Sequence, residues 1–308
     1  MEPDDFNENE MFGVEALKPL AIQKPLPPVV PENTNPLAAF FRAPGLHVKL
    51  PTGGAFLPES EFDPTLAGDL PVYPMRAADE LLLKSPDALM SGHAIVSLIK
   101  SCVPGIRDPR KISTPDLDVL LLAIRAATFG DSMDLDLKCP SCNTENSFTC
   151  SLGSIMATVT NVPAENPVRL TDEVVAYVRP YTLEVATRVA LSTFEEARKI
   201  QATEDMEGEE RTKIINDCYD RLNILNMRAL ASSIVKVVVP GSVVSNPAHI
   251  SEFIGNTDRN WIEKIEERLK AVNGMGIDKT IAVQCTSCEH EWTAAIEFDP
   301  SSFFVKGS

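Results

Sequence analysis

The chain has 308 residues, of which 44% are hydrophobic and 23% charged, the composition of an ordinary globular protein. Its formal net charge of −16 at pH 7 argues against a surface for nucleic acid or an anionic membrane, because both need clustered Lys and Arg. No apolar run approaches the roughly 20 residues that would cross a bilayer, which argues against a membrane-spanning segment.

The first residues and the cysteines indicate where the protein is made. Met1-Glu2-Pro3-Asp4-Asp5 is acidic and lacks the basic-then-apolar order of a signal peptide, so we expect synthesis in a reducing cytoplasm. Seven cysteines in such a compartment suggest a metal site before they suggest disulfides. Cys102 and Cys218 lie in apolar, helix-like sequence and are predicted to be small core residues.

Residues 1–45 hold eight prolines and no sustained apolar period. Proline cannot donate a ladder hydrogen bond and favours extended backbone, so this segment is predicted to be an extended arm rather than a domain. Its apolar residues, with Phe40 and Phe41 as the candidate contacts, predict docking on a neighbour or on the body of the same chain. Plain disorder is the alternative.

Residues 46–164 are predicted to start the body. Apolar and polar residues alternate around Gly53-Gly54 over residues 46–75, which predicts a hairpin at the two glycines. Ser85-Pro86-Asp87 and Thr114-Pro115-Asp116 each predict a helix start, with a hydroxyl N-cap, proline and an acid in the first turn. The helix over Leu117–Phe129 is apolar nearly all round and is followed by glycine, so we expect it at the centre of the core.

Two Cys-x-x-Cys pairs carry the strongest chemical signal. Strand-like runs flank both pairs, at residues 134–138, 146–150, 281–284 and 291–298. Four thiolates satisfy the tetrahedral preference of zinc, and two such turns facing each other would supply them. The sequence therefore predicts one structural zinc on Cys139, Cys142, Cys285 and Cys288.

The two pairs are separated by 142 residues, far more than a compact ribbon contains. We therefore predict a mainly helical domain, residues 165–274, inserted into a body formed by residues 46–164 and 275–308. Helices are expected after Thr182, over residues 209–236 and after Asp258. The predicted fold class is α+β: a split zinc-ribbon body with buried helices, the inserted domain and the extended N-terminal arm.

Several other readings stay open at this point. Thioredoxin-like redox chemistry uses one Cys-x-x-Cys at a helix start, whereas both pairs here lie between strands. Catalytic zinc needs an open position, which four thiolates would fill, although His290 could replace one of them. The cysteines could also bind nothing. Glu195 and Glu196 are predicted to lie on solvated helix faces.

The order of these signals resembles the baseplate hub proteins of contractile-tailed bacteriophages. The stretches that carry the resemblance are Leu50-Pro51-Thr52-Gly53-Gly54, Met75–Leu83, Ser85–Leu89, Leu120–Gly130 leading into Cys139-Pro140-Ser141-Cys142, and Val178-Arg179-Pro180-Tyr181-Thr182-Leu183. It implies a structural part of the virion tail baseplate, assembled in the host cytoplasm with hub, wedge or tail-tube proteins and without catalytic residues. It also implies that the four cysteines form a zinc site. Asn143 and Glu289 follow the cysteine turns where zinc ribbons often have glycine.

The predicted function is a structural component at or near the baseplate hub, with one zinc per chain and no small-molecule substrate, nucleic acid or membrane as partner. A transient zinc-ribbon assembly factor is the first alternative. A nucleic-acid-binding ribbon is the second, but Lys138 is the only basic residue between positions 131 and 150. An enzyme is the least expected class.

Overall fold

The structure is a computed structural model that describes residues 35–66, 68–296, 298 and 303–304. The chain divides into two units, residues 1–41 and 42–308. In the first unit, Pro36–Phe40 form a 3-10 helix whose first turn is capped by the side chain of Asn35. Extended backbone is therefore the wrong prediction for these residues, because the Asn35 cap and a proline at the first position favour a helical turn. Residues 1–34 of the predicted arm lie outside the described residues.

The second unit mixes helices with small antiparallel sheets, which confirms the α+β class. Its α-helices are α1 (Ala77–Leu83), α2 (Pro86–Met90), α3 (His93–Cys102), α4 (Thr114–Phe129), α5 (Leu152–Met156), α6 (Leu183–Gln201), α7 (Glu209–Ser232), α8 (Pro247–Asn256) and α9 (Arg259–Asn273). Its strands are β1 (Leu46–Val48), β2 (Leu70–Val72), β3 (Ser132–Lys138), β4 (Glu145–Ser151), β5 (Pro167–Arg169), β6 (Val175–Val178), β7 (Ile234–Val239), β8 (Ser242–Val244), β9 (Thr280–Gln284) and β10 (Glu291–Ala295). Within the described residues, β5 to β8 form one sheet in sequence order, and β1–β2, β3–β4 and β9–β10 form pairs.

Helix α4 is the centre of the first hydrophobic core, as its composition predicts. The consecutive residues Val119, Leu120, Leu121, Leu122, Ala123 and Ile124 are all buried. The helix ends at Gly130, whose φ of 93° is a conformation that favours glycine. Its cap residue is Ser113, not the predicted Thr114, because the Thr114 hydroxyl donates instead to the side-chain oxygen of Asn273 at 2.9 Å.

The segment around Gly53-Gly54 is a turn within the connection between β1 and β2 rather than a hairpin. Strand β1 pairs with β2, so Leu46 lies opposite Val72 and the glycines lie in the connection between the strands. Both glycines have positive φ, and a Cβ on Gly54 would lie 2.6 Å from the ring of Phe62. Alternation of apolar residues predicted the wrong pairing because it does not say which strand is the partner.

A second hydrophobic core lies mostly within the predicted insertion and also includes Val162, which precedes it. The sheet β5–β8 packs against α8 and α9, and the buried residues of this cluster run from Val162 to Val272. Thr182 and Asp258 cap α6 and α9 as predicted, through side-chain oxygens that accept backbone N–H groups of the first turn. Helix α7 ends at Ser232, earlier than expected, because the β-branched residues that follow belong to β7. The division of residues 46–308 into a body and an inserted domain stays a prediction.

Glu196 lies between α6 and α7 instead of on a solvated face, which corrects the prediction for this residue. Its carboxylate accepts bonds from Arg221 of α7 at 2.7 Å and from Lys199 of α6 at 2.6 Å, and the residue is only 5% exposed. The hydrogen bond from Arg221, followed by that from Lys199, lowers the pKa of Glu196 to about 2. The ion pair therefore joins the two helices in the charged form.

The Glu196 ion pair should make the α6–α7 pair sensitive to acid. Because the folded pKa of about 2 lies below the ordinary value of 4.5, the stabilisation is complete above pH 4.5 and is lost as the pH falls through 2. We expect the urea midpoint of the wild type to fall between pH 5 and pH 2, and the midpoint of Glu196→Gln to fall less over the same range. Glu195→Gln, at the exposed neighbour, is the control. Equal pH profiles for the two variants would contradict the assignment.

Candidate metal centre

The four predicted ligands lie at the ends of two hairpins that are distant in sequence. In the first, Lys138 pairs with Glu145 across β3 and β4, and Cys139 and Cys142 form the turn beyond this pair. In the second, β9 and β10 pair from Thr280 to Ala295, and Cys285 and Cys288 form the equivalent turn. The predicted strand–turn–strand around each pair is confirmed.

The two turns share one backbone geometry. In each, the first cysteine donates its N–H to the carbonyl five residues on, and the residue after the second cysteine donates its N–H to the carbonyl of the first. The bonds are Cys139 to Thr144 (3.0 Å), Cys285 to His290 (2.9 Å), Asn143 to Cys139 (2.9 Å) and Glu289 to Cys285 (3.1 Å). Asn143 and Glu289 both have φ of 57°, the left-handed conformation that glycine adopts most easily. The turns thus keep the shape of a glycine turn without the glycine.

The sulfur atoms meet at distances that suit one tetrahedral ion. Cys139 Sγ lies 3.7 Å from Cys288 Sγ, and Cys142 Sγ lies 3.6 Å from Cys285 Sγ. All four lie within 4.8 Å of one another. A tetrahedron with zinc–sulfur bonds of about 2.3 Å has edges of about 3.8 Å, so the donor set and its spacing fit zinc.

The thiols of the cluster influence one another's protonation. Hydrogen bonds, first from the backbone N–H of Cys288, lower the pKa of Cys285 to about 6. The backbone N–H of His290 lowers the pKa of Cys288, but hydrogen bonds with Cys142 and with other cluster thiols, together with burial, outweigh it and raise that pKa to about 11. Four thiols at this spacing therefore do not all ionise at neutral pH by themselves. A divalent cation, if bound, would supply the charge that allows all four to ionise.

Asn146 joins the two hairpins behind the sulfur atoms. It is 3% exposed on β4, and its side-chain oxygen accepts the backbone N–H of Thr286 at 2.9 Å and the Thr286 hydroxyl at 2.8 Å. Its amide nitrogen donates to the Thr144 carbonyl at 2.9 Å and lies 3.6 Å from Cys285 Sγ. Sequence analysis missed this residue, because its partners lie 140 positions away. The sequence signal for it is limited to an asparagine four positions after Cys142, in a strand-like run.

An aromatic contact extends the interface between the hairpins. Phe148 of β4 meets Trp292 of β10 edge to face, with ring centroids 6.0 Å apart. The ring of His290 stacks on the ring of Trp292, with centroids 6.2 Å apart and an interplanar angle of 10°. His290 is not part of the group of ligand atoms within 4.8 Å, so the geometry favours four cysteines over three cysteines and a histidine.

Asn146→Ala should weaken the metal site without removing a ligand. Loss of such a supporting hydrogen bond lowers metal affinity by about 10- to 100-fold in well-studied sites. We expect a shift of this size in zinc affinity, measured by competition with a chromogenic chelator. Ser147→Ala is the control, since the Ser147 hydroxyl donates to exposed Asp136 across the same hairpin and not to the second hairpin among the described residues. Unchanged affinity in Asn146→Ala would show that the second hairpin is held by other contacts.

The remaining candidates fall elsewhere. Phe40 and Phe41 belong to the unit of residues 1–41 and are 84% and 64% exposed, and their docking role stays a prediction. Cys102 and Cys218 are fully buried. The redox alternative lacks the helix start that activates a thiolate, because both cysteine pairs end hairpins.

Comparison with known proteins supplies one match. The family model described as T4 bacteriophage base plate protein matches residues 48–305, which is most of the chain. No curated protein and no solved structure matches. Among the described residues, every helix is too short or too polar to cross a membrane.

Proposed function

This chain belongs to the T4 bacteriophage base plate protein family, and from that premise we propose that it is a structural component at or near the hub of a contractile-tail baseplate. The observation that carries the proposal is the family match over residues 48–305. A virion tail location and association with other baseplate or tail proteins follow from the family. The proposal adds the hub position and a role without catalysis.

The second element of the proposal is a split zinc ribbon with one zinc per chain, bound by Cys139, Cys142, Cys285 and Cys288. Sulfur spacings of 3.6 and 3.7 Å and the matched turn geometry support it. When bound, zinc would supply a structural crosslink, and four protein ligands would leave no open position for a substrate. Such a crosslink closes a loop of 142 residues, where it limits the unfolded chain strongly.

The partners proposed are hub, wedge or tail-tube proteins, with Phe40 and Phe41 as contacts of a docking arm and assembly in the host cytoplasm. The high exposure of both rings supports a docking role, because large exposed aromatic residues are typical of interaction sites. A nucleic-acid-binding ribbon is not proposed. Lys138, the basic residue beside the first turn, already pairs with Glu145 at 3.3 Å.

Purified particles and assembly intermediates, inventoried by mass spectrometry, test the structural role. The chain should be present in finished tails in a fixed ratio to other baseplate proteins. Presence in intermediates and absence from finished tails would instead identify a transient assembly factor. Zinc analysis of the purified chain, with about one ion per chain expected, tests the ribbon separately.

The double variant Phe40→Ala, Phe41→Ala tests the arm. It is a better probe than deletion of residues 1–45, because Arg42 is bonded to the body: its guanidinium donates to the Pro74 carbonyl at 2.6 Å and to the Ser101 hydroxyl at 3.1 Å. The variant should keep the thermal stability of the wild type and fail to enter tails. Normal incorporation would remove the docking role of the two rings.

A further inference from the structure

A cavity of about 490 Å³ opens where the start of α6 and the end of α7 meet the segment after β1. Its lining combines basic side chains, among them Arg179 and Arg228, with apolar residues of α6 and α7. The volume is within the range of about 300–1,000 Å³ that ligand sites occupy. It is separate from the cysteine cluster and shares no residue with it.

The lining is strongly cationic in a protein that is strongly anionic. Four basic side chains face one carboxylate, although the chain as a whole carries a charge of −16. Two of the four have acidic partners: Arg188 bonds Glu184 at 2.7 Å and Lys111 bonds Glu61 at 3.3 Å. The other two, Arg179 and Arg228, form no ion pair with a carboxylate of the described residues.

Arg179 is the basic residue of the cavity that would gain most from an acidic ligand. It is half-buried, and burial lowers the pKa of its guanidinium. Its guanidinium donates to the Ser232 carbonyl at 3.2 Å, a neutral partner at the end of α7. A partly buried cation gains more from a carboxylate than from a carbonyl, because a charged acceptor forms the stronger hydrogen bond. Arg179 also belongs to the Arg-Pro stretch that carries the family resemblance, for which the metal centre gives no role.

The floor of the cavity is apolar. The residues that we call the floor are Phe56, Val185, Val189 and Leu225, which are half-buried, and Ala229, which is buried. Apolar surface with cationic groups at the rim suits a ligand that carries both carboxylates and apolar side chains. A nucleic acid does not suit it, since the net charge of the chain would repel a polyanion.

We infer that this cavity is a docking site for an acidic segment of a partner protein, which places a carboxylate between Arg179 and Arg228 and an apolar side chain on the floor. The partner is defined by this chemistry, and the inference rests on the proposed function only in taking that partner to be another baseplate protein. The metal centre plays no part in it.

A fluorescein-labelled peptide of alternating Glu, Leu and Phe, and its counterpart with Gln in place of Glu, test the site by fluorescence anisotropy on the full chain. We expect the acidic peptide to bind about tenfold more tightly than the Gln peptide, and Arg228→Gln to weaken the acidic peptide by about tenfold. Arg228 is exposed, so its substitution should leave folding intact. Arg211→Gln, an equal loss of charge at an exposed residue of α7, should leave binding unchanged.

Val189→Glu probes the floor and should also weaken the acidic peptide, whereas Val243→Glu at a 61% exposed residue should not. Equal binding of the two peptides, no effect of Arg228→Gln, or an equal effect of Arg211→Gln would each overturn the inference. Displacement of the peptide by inorganic phosphate at equal charge concentration would also overturn the inference, because it would identify the cavity as a site for simple anions. Because the purified chain is used, these outcomes leave the baseplate assignment standing, and absence of the chain from tails would leave the peptide site standing.

Discussion

Cys285→Ser should reduce bound zinc from about one per chain to near zero and destabilise the ribbon more than any other single substitution considered. Cys285 is 2% exposed, and its sulfur lies 3.6 Å from Cys142 Sγ and 3.6 Å from the Asn146 amide. Binding of a structural zinc contributes on the order of 10 kcal/mol, comparable with the stability of a whole domain. Loss of one thiolate removes most of that contribution, because a hydroxyl is a poor zinc ligand.

Metal analysis and thermal unfolding, each with and without a chelator, measure this effect. The wild type should lose stability when zinc is removed, and Cys285→Ser should already be at the lower level and respond little to chelator. Cys218→Ser is the matched control: its sulfur accepts a bond from Arg221 at 3.3 Å, a role that a hydroxyl can fill. If the wild-type chain is folded and its thermal unfolding is unaffected by chelator, the proposed metal site is wrong.

Asp116→Ala should destabilise the first core by about 3 kcal/mol or more. The carboxylate is 1% exposed and accepts three bonds, from the backbone N–H of Thr52 at 2.9 Å, the Thr52 hydroxyl at 2.6 Å and the Ser113 hydroxyl at 2.7 Å. Alanine would leave all three donors buried without a partner. Because these bonds hold the turn that precedes Gly53 and Gly54, we expect the connection between β1 and β2 to loosen as well.

The unfolding free energies of three variants separate this role from a general effect of charge. Asp116→Asn retains an acceptor for the Thr52 N–H and should cost less than alanine. Burial raises the pKa of Asp116 in the folded chain above its value in the unfolded chain. The free energy of unfolding of the wild type therefore decreases as the pH rises through the raised pKa, and it increases again as the pH is lowered. The gap between wild type and Asp116→Asn should therefore widen at lower pH. Asp87→Ala, at an exposed acid in the first turn of α2, should have a small effect; an equal loss there would contradict the buried network.

Local chemistry predicted much of the secondary structure and the grouping of the four cysteines. Ser85 caps α2, accepting the Ala88 N–H at 3.4 Å, because a hydroxyl followed by proline favours a helix start whatever surrounds it. The two cysteine turns were predicted for a similar reason: each is bounded by its own alternating strands, and zinc chemistry alone implies that they meet. In each case the residues that give the signal lie within a few positions of the turn or helix start that they predict.

What sequence analysis missed depends on contacts between distant residues. Glu196 is a residue type typical of a solvated helix position, but it forms an ion pair with Arg221 on the next helix, 25 positions away. Asn146 gains its role from Thr286 in the other hairpin. Gly53-Gly54 has the sequence of a hairpin turn, but the bonds of the preceding residue, Thr52, to Asp116 tie this turn to α4 instead of to a strand. In each case the partner is not specified by the local pattern.

The two halves of the cysteine cluster are not made at the same time. At about 5–20 residues per second, a ribosome needs roughly 7–30 s to add the 142 residues between Cys142 and Cys285. For that interval the newly made chain carries a half-formed site with two free thiols, open to oxidation and to other soft metal ions. On the proposed zinc assignment, the site can be filled by four ligands only after Cys285 and Cys288 have been made.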